Sequence, residues 1–141
     1  MKLSIWSYGK EGAAASGVLA VVGTFLNWWL GGFDVMLQSL LFFMVMDIIV
    51  GIAAAYKDKK VNSNVMFWGG VNKFLVLGMV GIGMKLDILM GLENPYIRTA
   101  VIWFFIGREL LSIVENYGKL GMSLPPAIKN ALEQIQEKGG K

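Results

Sequence analysis

Four apolar stretches, at about residues 13–30, 36–56, 70–90 and 96–116, limit what this chain can fold into more than any other feature. Each has roughly 18 to 21 residues, which as a helix rising ~1.5 Å per residue is enough to cross a hydrocarbon core of ~30 Å. A water-soluble domain of 141 residues has no core large enough to hide all four, and with 55% hydrophobic and 16% charged residues it lacks the polar surface to try. The sequence therefore predicts an all-α membrane protein, a single domain spanning 1–141 with four transmembrane helices arranged as two helical hairpins. Gly31, Gly32, Phe33 and Asp34 make the first hairpin turn, and Gly91, Leu92, Glu93, Asn94 and Pro95 make the second, where the position before proline disfavours continued helix. A cytoplasmic tail, 117–141, starts with the glycine and proline hinge GKLGMSLPP. It continues with Ile128, Leu132 and Ile135 at the spacing of a short amphipathic helix.

Charge sets the orientation. The middle connection, KDKKVNSN, carries Lys57, Lys59 and Lys60, and in a four-span arrangement it lies on the same side as Lys2, Lys10, Lys119, Lys129, Lys138 and Lys141. The two opposite turns contribute only Asp34 and Glu93 as charges. Positive residues collect on the cytoplasmic side, so both termini are predicted to be cytoplasmic in a multi-pass protein of the cytoplasmic membrane. Trp28, Trp29 and Tyr96 fall near the outer boundary and Tyr56, Trp68 and Tyr117 near the inner one, as interfacial aromatics do.

The first stretch follows two lysines, like a signal peptide. It is longer than a usual signal core, and NWWLGGFD follows it in place of a small-residue cleavage site, so it is read as a retained span. Ser16, Ala20 and Gly23 line up along it as a small-residue stripe that lets another helix approach.

Polarity inside the apolar stretches is the signal for function, because ionisable groups at membrane depth are costly. The inner end of the fourth stretch reads RELLSIVEN. At 100° per residue, Arg108, Glu109, Ser112, Glu115, Asn116 and Lys119 share an arc of about 120°, with Leu110, Ile113, Val114 and Tyr117 opposite. The arc is predicted to face protein or water, with Glu109, Ser112 and Glu115 acting as one stripe. In the second stretch Asp47 lies near the middle, beside Gly51, Ala54 and Ala55. A carboxylate there needs a partner or water. Arg108, at similar depth, is the preferred partner, with Lys73 of the third stretch as the competitor. Lys85 and Asp87 point about 200° apart and cannot pair with each other, and Lys85 is expected to snorkel to the outer headgroups.

Enzymatic chemistry has no foothold. Histidine and cysteine are absent, which excludes the usual metal ligand sets and disulfides. The glycine-rich LGMVGIGM lies inside a span without the Lys and Ser or Thr of a phosphate loop. Neither a cofactor nor a nucleic-acid partner is expected.

Asp47 with Gly51 and Ala54, then Asn62 and Ser63, Gly70 and Lys73, then the block RELLSIVENYGKLGMSLP with Glu109, Ser112, Glu115, Asn116, Gly121 and Pro125, closely resemble the phage lysis and toxin-secretion holin family of Gram-positive phages and prophages. The resemblance covers roughly 36–132. Arg108 departs from it, standing where members often have an uncharged polar residue. The resemblance implies a non-enzymatic membrane protein that forms homo-oligomers in the bilayer and opens lesions. Its functional partner would be a cell-wall hydrolase (endolysin) or an exported toxin. The candidate oligomer or pore-lining residues are Asp47, Gly51, Lys73, Arg108, Glu109, Ser112, Glu115 and Asn116. Two other readings stand beside it: a small four-helix proton-coupled transporter working through Asp47, and an antiholin or accessory membrane protein.

Overall fold

The computed structural model describes residues 5–128 and 130, with side-chain surroundings for 12 and from 15 onward. Four helices follow one another: α1 (Ile5–Leu30), α2 (Val35–Lys57), α3 (Ser63–Leu89) and α4 (Tyr96–Lys119). Proline is absent inside all four, and polar residues at the turns set the starts of α2 and α3. Asp34 caps α2 by accepting the Leu37 N–H at 2.9 Å, and Asn62 caps α3 by accepting the Asn64 N–H at 2.9 Å. That second cap explains why α3 begins seven residues before the expected 70: once Asn62 closes the turn, the apolar run Val65–Trp68 continues the helix. At the first turn Gly31 and Gly32 both have positive φ (77° and 106°), which only glycine adopts without strain.

Two helices, α2 and α3, are long and apolar enough to cross a membrane, and the apolar part of α1 is the shorter Ala15–Leu30. Residues 126–128 and 130 are helical, while Leu132 and Ile135 of the expected tail helix, with Lys2, Lys129, Lys138 and Lys141, lie outside the described residues.

Packing centres on α4. It lies against both α2 and α3, whereas α2 and α3 hardly touch each other and α1 rests on α3. Leu37, Leu40 and Met44 of α2, Val76 and Val80 of α3, and Ile102, Phe105 and Ile106 of α4 form the apolar core, which Leu30 closes at one end. The buried face of α4 runs Arg98, Ile102, Phe105, Ile106, Glu109, spacings of four, three, one and three that hold one side of a helix. A charge therefore stands at each end of its apolar seam. Phe42, Val45, Ile49, Phe74, Leu75, Trp103 and Phe104 point outward. An exterior this apolar suits lipid as the surrounding solvent.

The expected small-residue stripe on α1 packs against nothing among the described residues. Ser16, Ala20 and Gly23 are exposed, and the hydroxyls of Ser16 and Thr24 donate to the carbonyls of Gly12 and Ala20 one turn back. What attaches α1 is its last turn, where the Trp29 indole occupies the place a Cβ on Gly81 would take and Leu30 enters the core.

Candidate functional site

Midway along the bundle, α2, α3 and α4 each contribute one ionisable group to a common point. Counting at ~1.5 Å per residue from the helix ends that carry the 31–34 and 90–95 turns, Asp47 lies about 18 Å in, Glu109 about 20 Å and Lys73 about 24 Å. The Lys73 ammonium donates to Asp47 Oδ2 at 2.6 Å and also to Glu109 Oε2. Lys73 and Asp47 keep 15% of their side-chain surface exposed and Glu109 6%. A flexible four-carbon stem lets one ammonium reach two carboxylates on different helices.

The preferred Asp47–Arg108 pair is therefore not formed: Lys73 takes Asp47, and none of the ion pairs among the described residues includes Arg108. The reason is rotation. Glu109 continues the core face of α4, so Arg108, about 100° away, is carried to the exposed flank. The polar arc is likewise divided: Glu109 is buried, Ser112 and Asn116 are half-buried, and Arg108 and Glu115 are exposed. Within the single bundle, then, Glu109, Ser112 and Glu115 of the expected stripe differ in burial. Gly51 does sit at the α2–α4 contact, where an added Cβ would stand 3.4 Å from Asn116 Nδ2.

Two cavities adjoin the triad. A polar one of about 150 Å³ is bordered by Asp47, Asn72, Lys73, Arg108, Glu109 and Ser112. Its lining carries two positive and two negative groups, so its formal charge balances, and its size and polarity suit several waters. Asp47 Oδ1, buried, has no hydrogen-bond partner among the described residues. The second cavity, about 320 Å³, is the groove left where α2 and α3 hardly touch, running from Val61 and Asn62 in the connection between them to Asp47 and Lys73.

A second cluster, at the other end of the core seam, was not expected from the sequence. Arg98, 1% exposed, donates through Nε to the Leu30 carbonyl, through Nη2 to the Gly32 carbonyl at 3.0 Å, and through Nη1 to Asp34 Oδ2 at 2.7 Å. Its hydrogen bond holds the Asp34 carboxyl below the ordinary aspartate range. Asp87 is buried and accepts the backbone N–H groups of Ile97 and Arg98, each at 2.8 Å. It thus caps α4 from the neighbouring helix, a job that Pro95 at the N-cap position cannot do with its own side chain. The end of the bundle that carries the 31–34 and 90–95 turns consequently contains a cation, but one enclosed between those turns. Opposite charges at the same end of two predicted hairpins, Asp34 and Arg98, were the available signal. Lys85, expected to snorkel to the outer headgroups, lies over the Trp28 ring at 3.4 Å from its centroid.

The arrangement offers charge, water and helix packing, and no metal-binding cluster occurs among the described residues. Comparison with known families matches residues 24–137 to the bacteriophage holin family. A probable holin of Bacillus phage phi105 is 33% identical over 100 residues, 71% of this chain and 73% of the phage protein. An uncharacterized 14.9 kDa protein in the nagH 3′ region of Clostridium perfringens is 33% identical over 117 residues, 83% of this chain and 89% of its own length. Lmo0128 of Listeria monocytogenes, also uncharacterized, is 32% identical over 119 residues, 84% of each chain. No solved structure matches. A membrane protein with ionisable groups gathered inside a helical bundle, and with this match over most of its length, belongs to the bacteriophage holin family.

Proposed function

We propose that the chain is a holin that crosses the cytoplasmic membrane four times, with both termini inside, and assembles with copies of itself into lesions that release a cell-wall hydrolase or a toxin. The observation that carries this reading is the Asp47–Lys73–Glu109 triad at mid-helix depth. Charges at that depth are costly facing lipid, and in the single bundle they are turned inward. When copies associate and the helices rotate or separate, the same groups supply a water-facing lining without any change of sequence. Family membership supports the lysis role, and Arg108 and Glu115, already on the outer flank, add polar groups that another subunit or water can satisfy. The transporter reading needs a central carboxylate available for exchange, whereas Asp47 is held by Lys73.

Inducing the gene in a host that separately expresses a muralytic enzyme tests the proposal. Abrupt lysis with the enzyme present, and loss of viability without it, is the expected result. Slow drug-efflux phenotypes with intact cells would overturn it.

A further inference from the structure

The α2–α3 groove poses a physical problem for a protein in a bilayer. Its floor holds Asp47 and Lys73 at mid-helix depth, both partly exposed, and its sides are low because Gly51, Gly69 and Gly70 line it. A Cβ on Gly69 or Gly70 would meet nothing within 4 Å. Hydrocarbon against that floor is unfavourable, since an ionised side chain at the bilayer centre costs ~2.5 to 3.5 kcal/mol even on insertion scales. A helix with a small, weakly polar face covers such a floor best, because glycine rims let its backbone come close and a hydroxyl can face the charges.

The chain contains one such face without a partner. From Ala15 to Trp28, α1 is exposed, and Gly17 and Gly23 have nothing within 4 Å of where a Cβ would be. Ser16 lies about 21 Å from the outer end of α1, level with Asp47 and Lys73 in the groove. The chain's own α1 is held at its last turn by Trp29 against Gly81 and Trp28 under Lys85, and residues 15–28 stay exposed.

The geometry points to an interface between copies: the exposed stretch of α1 from Ala15 to Trp28 of one subunit lies against the α2–α3 groove of the next, with its Ser16, Ala20 and Gly23 face over the partner's Asp47–Lys73 floor. This rests on the holin reading and says how its oligomers are joined. Because the two surfaces differ, the contact is head-to-tail, and it closes into rings or extends into open chains according to the rotation per subunit. Each copy leaves one groove and one α1 to recruit another, so assembly can grow.

The natural chain has no cysteine, so placed thiols report cleanly. Two differently tagged full-length copies are co-expressed in membranes, one carrying Ser16→Cys and the other Gly70→Cys, and treated with a short bifunctional thiol reagent. A product containing both tags is expected, several-fold more abundant than with Gly78→Cys, which is on α3 outside the groove and likewise has nothing within 4 Å of where its Cβ would be. Adding Gly69→Leu to the Gly70→Cys copy should fill the groove and remove the product while circular dichroism stays helical. Equal cross-linking at Gly70 and Gly78 would overturn the inference. So would a Ser16→Cys, Gly70→Cys chain that cross-links only within one copy, since that would make the chain's own α1 the cover. The readout is independent of lysis: normal lysis without the product sinks this interface and leaves the holin reading standing, and the product in cells that do not lyse does the reverse.

Discussion

Replacing Lys73 with methionine removes the charge at the centre of the triad while keeping most of the side-chain volume. Asp47 and Glu109, 15% and 6% exposed, are then left as two carboxylates around one point with no cation between them. Removing one partner of a buried ion pair costs ~3 to 5 kcal/mol, because what remains is an uncompensated charge. Here two acids lose the same partner, but they border a polar cavity that Asn72, Arg108 and Ser112 also line, and hydration there offsets part of the loss. A destabilisation of ~3 to 5 kcal/mol is therefore expected, in place of the sum for two separate acids. The triple variant Lys73→Met, Asp47→Asn, Glu109→Gln should recover most of it, since a well-packed neutral set replaces a buried ionic one at little cost. Reversible unfolding by SDS in mixed micelles, followed by far-ultraviolet circular dichroism, measures both. A loss under ~1 kcal/mol for the single variant, the value of a solvent-exposed pair, would refute the burial argument. A triple variant no more stable than the single one would refute the charge argument.

Other expectations are as direct. Reporter fusions after residues 32, 62, 93 and 141 should read outside, inside, outside and inside, and an external signal at 62 would break the four-span proposal. Glu109→Ala should delay or abolish lysis at unchanged membrane levels, whereas Glu115→Ala, on the exposed flank, should shift its timing less; equal effects would contradict the division of the arc. Arg98→Met leaves the Leu30 and Gly32 carbonyls without their donor, each worth ~1 to 3 kcal/mol when unsatisfied, so ~2 to 6 kcal/mol of stability should go, and wild-type stability would show that the clamp contributes nothing. Because Arg98 lowers the Asp34 pKa, the stabilisation is complete above the ordinary aspartate value and is lost as pH falls through the lowered one. The stability difference between the protein and Asp34→Asn should accordingly be constant near neutrality and shrink below about pH 4; a difference that grows on acidification would reverse the assignment. Half of Asp34 is open to water, so this effect is small.

The existence of the helices was legible because length and hydrophobicity are properties of a segment by itself. Asp34, Asn62 and Pro95 mark the turns through local chemistry that needs no partner helix, and the family was legible because its C-terminal block is a fixed order of residues. Depth was legible in part: counting ~1.5 Å per residue brings Asp47 and the Arg108–Glu109 pair to nearly one level, with Lys73 about a turn away.

Partner choice within that level was decided by the tertiary structure. A helical wheel gives the angles between residues on one helix but not the rotation of that helix against its neighbours, and 100° separates Glu109 in the core from Arg108 on the flank. Lys73 won Asp47 because α3 presents it between two acids, a three-helix arrangement that no single periodicity encodes. Arg98 was hidden in the sequence for the same reason: its carbonyl partners at Leu30 and Gly32 lie 68 and 66 residues away and become acceptors only when the first turn folds over α4. Sequence alone determined where the helices are and what charges they carry, since those depend on chemistry along the chain. Which charges meet, and which faces stay open, depended on how α4 rotates between α2 and α3, which packing sets.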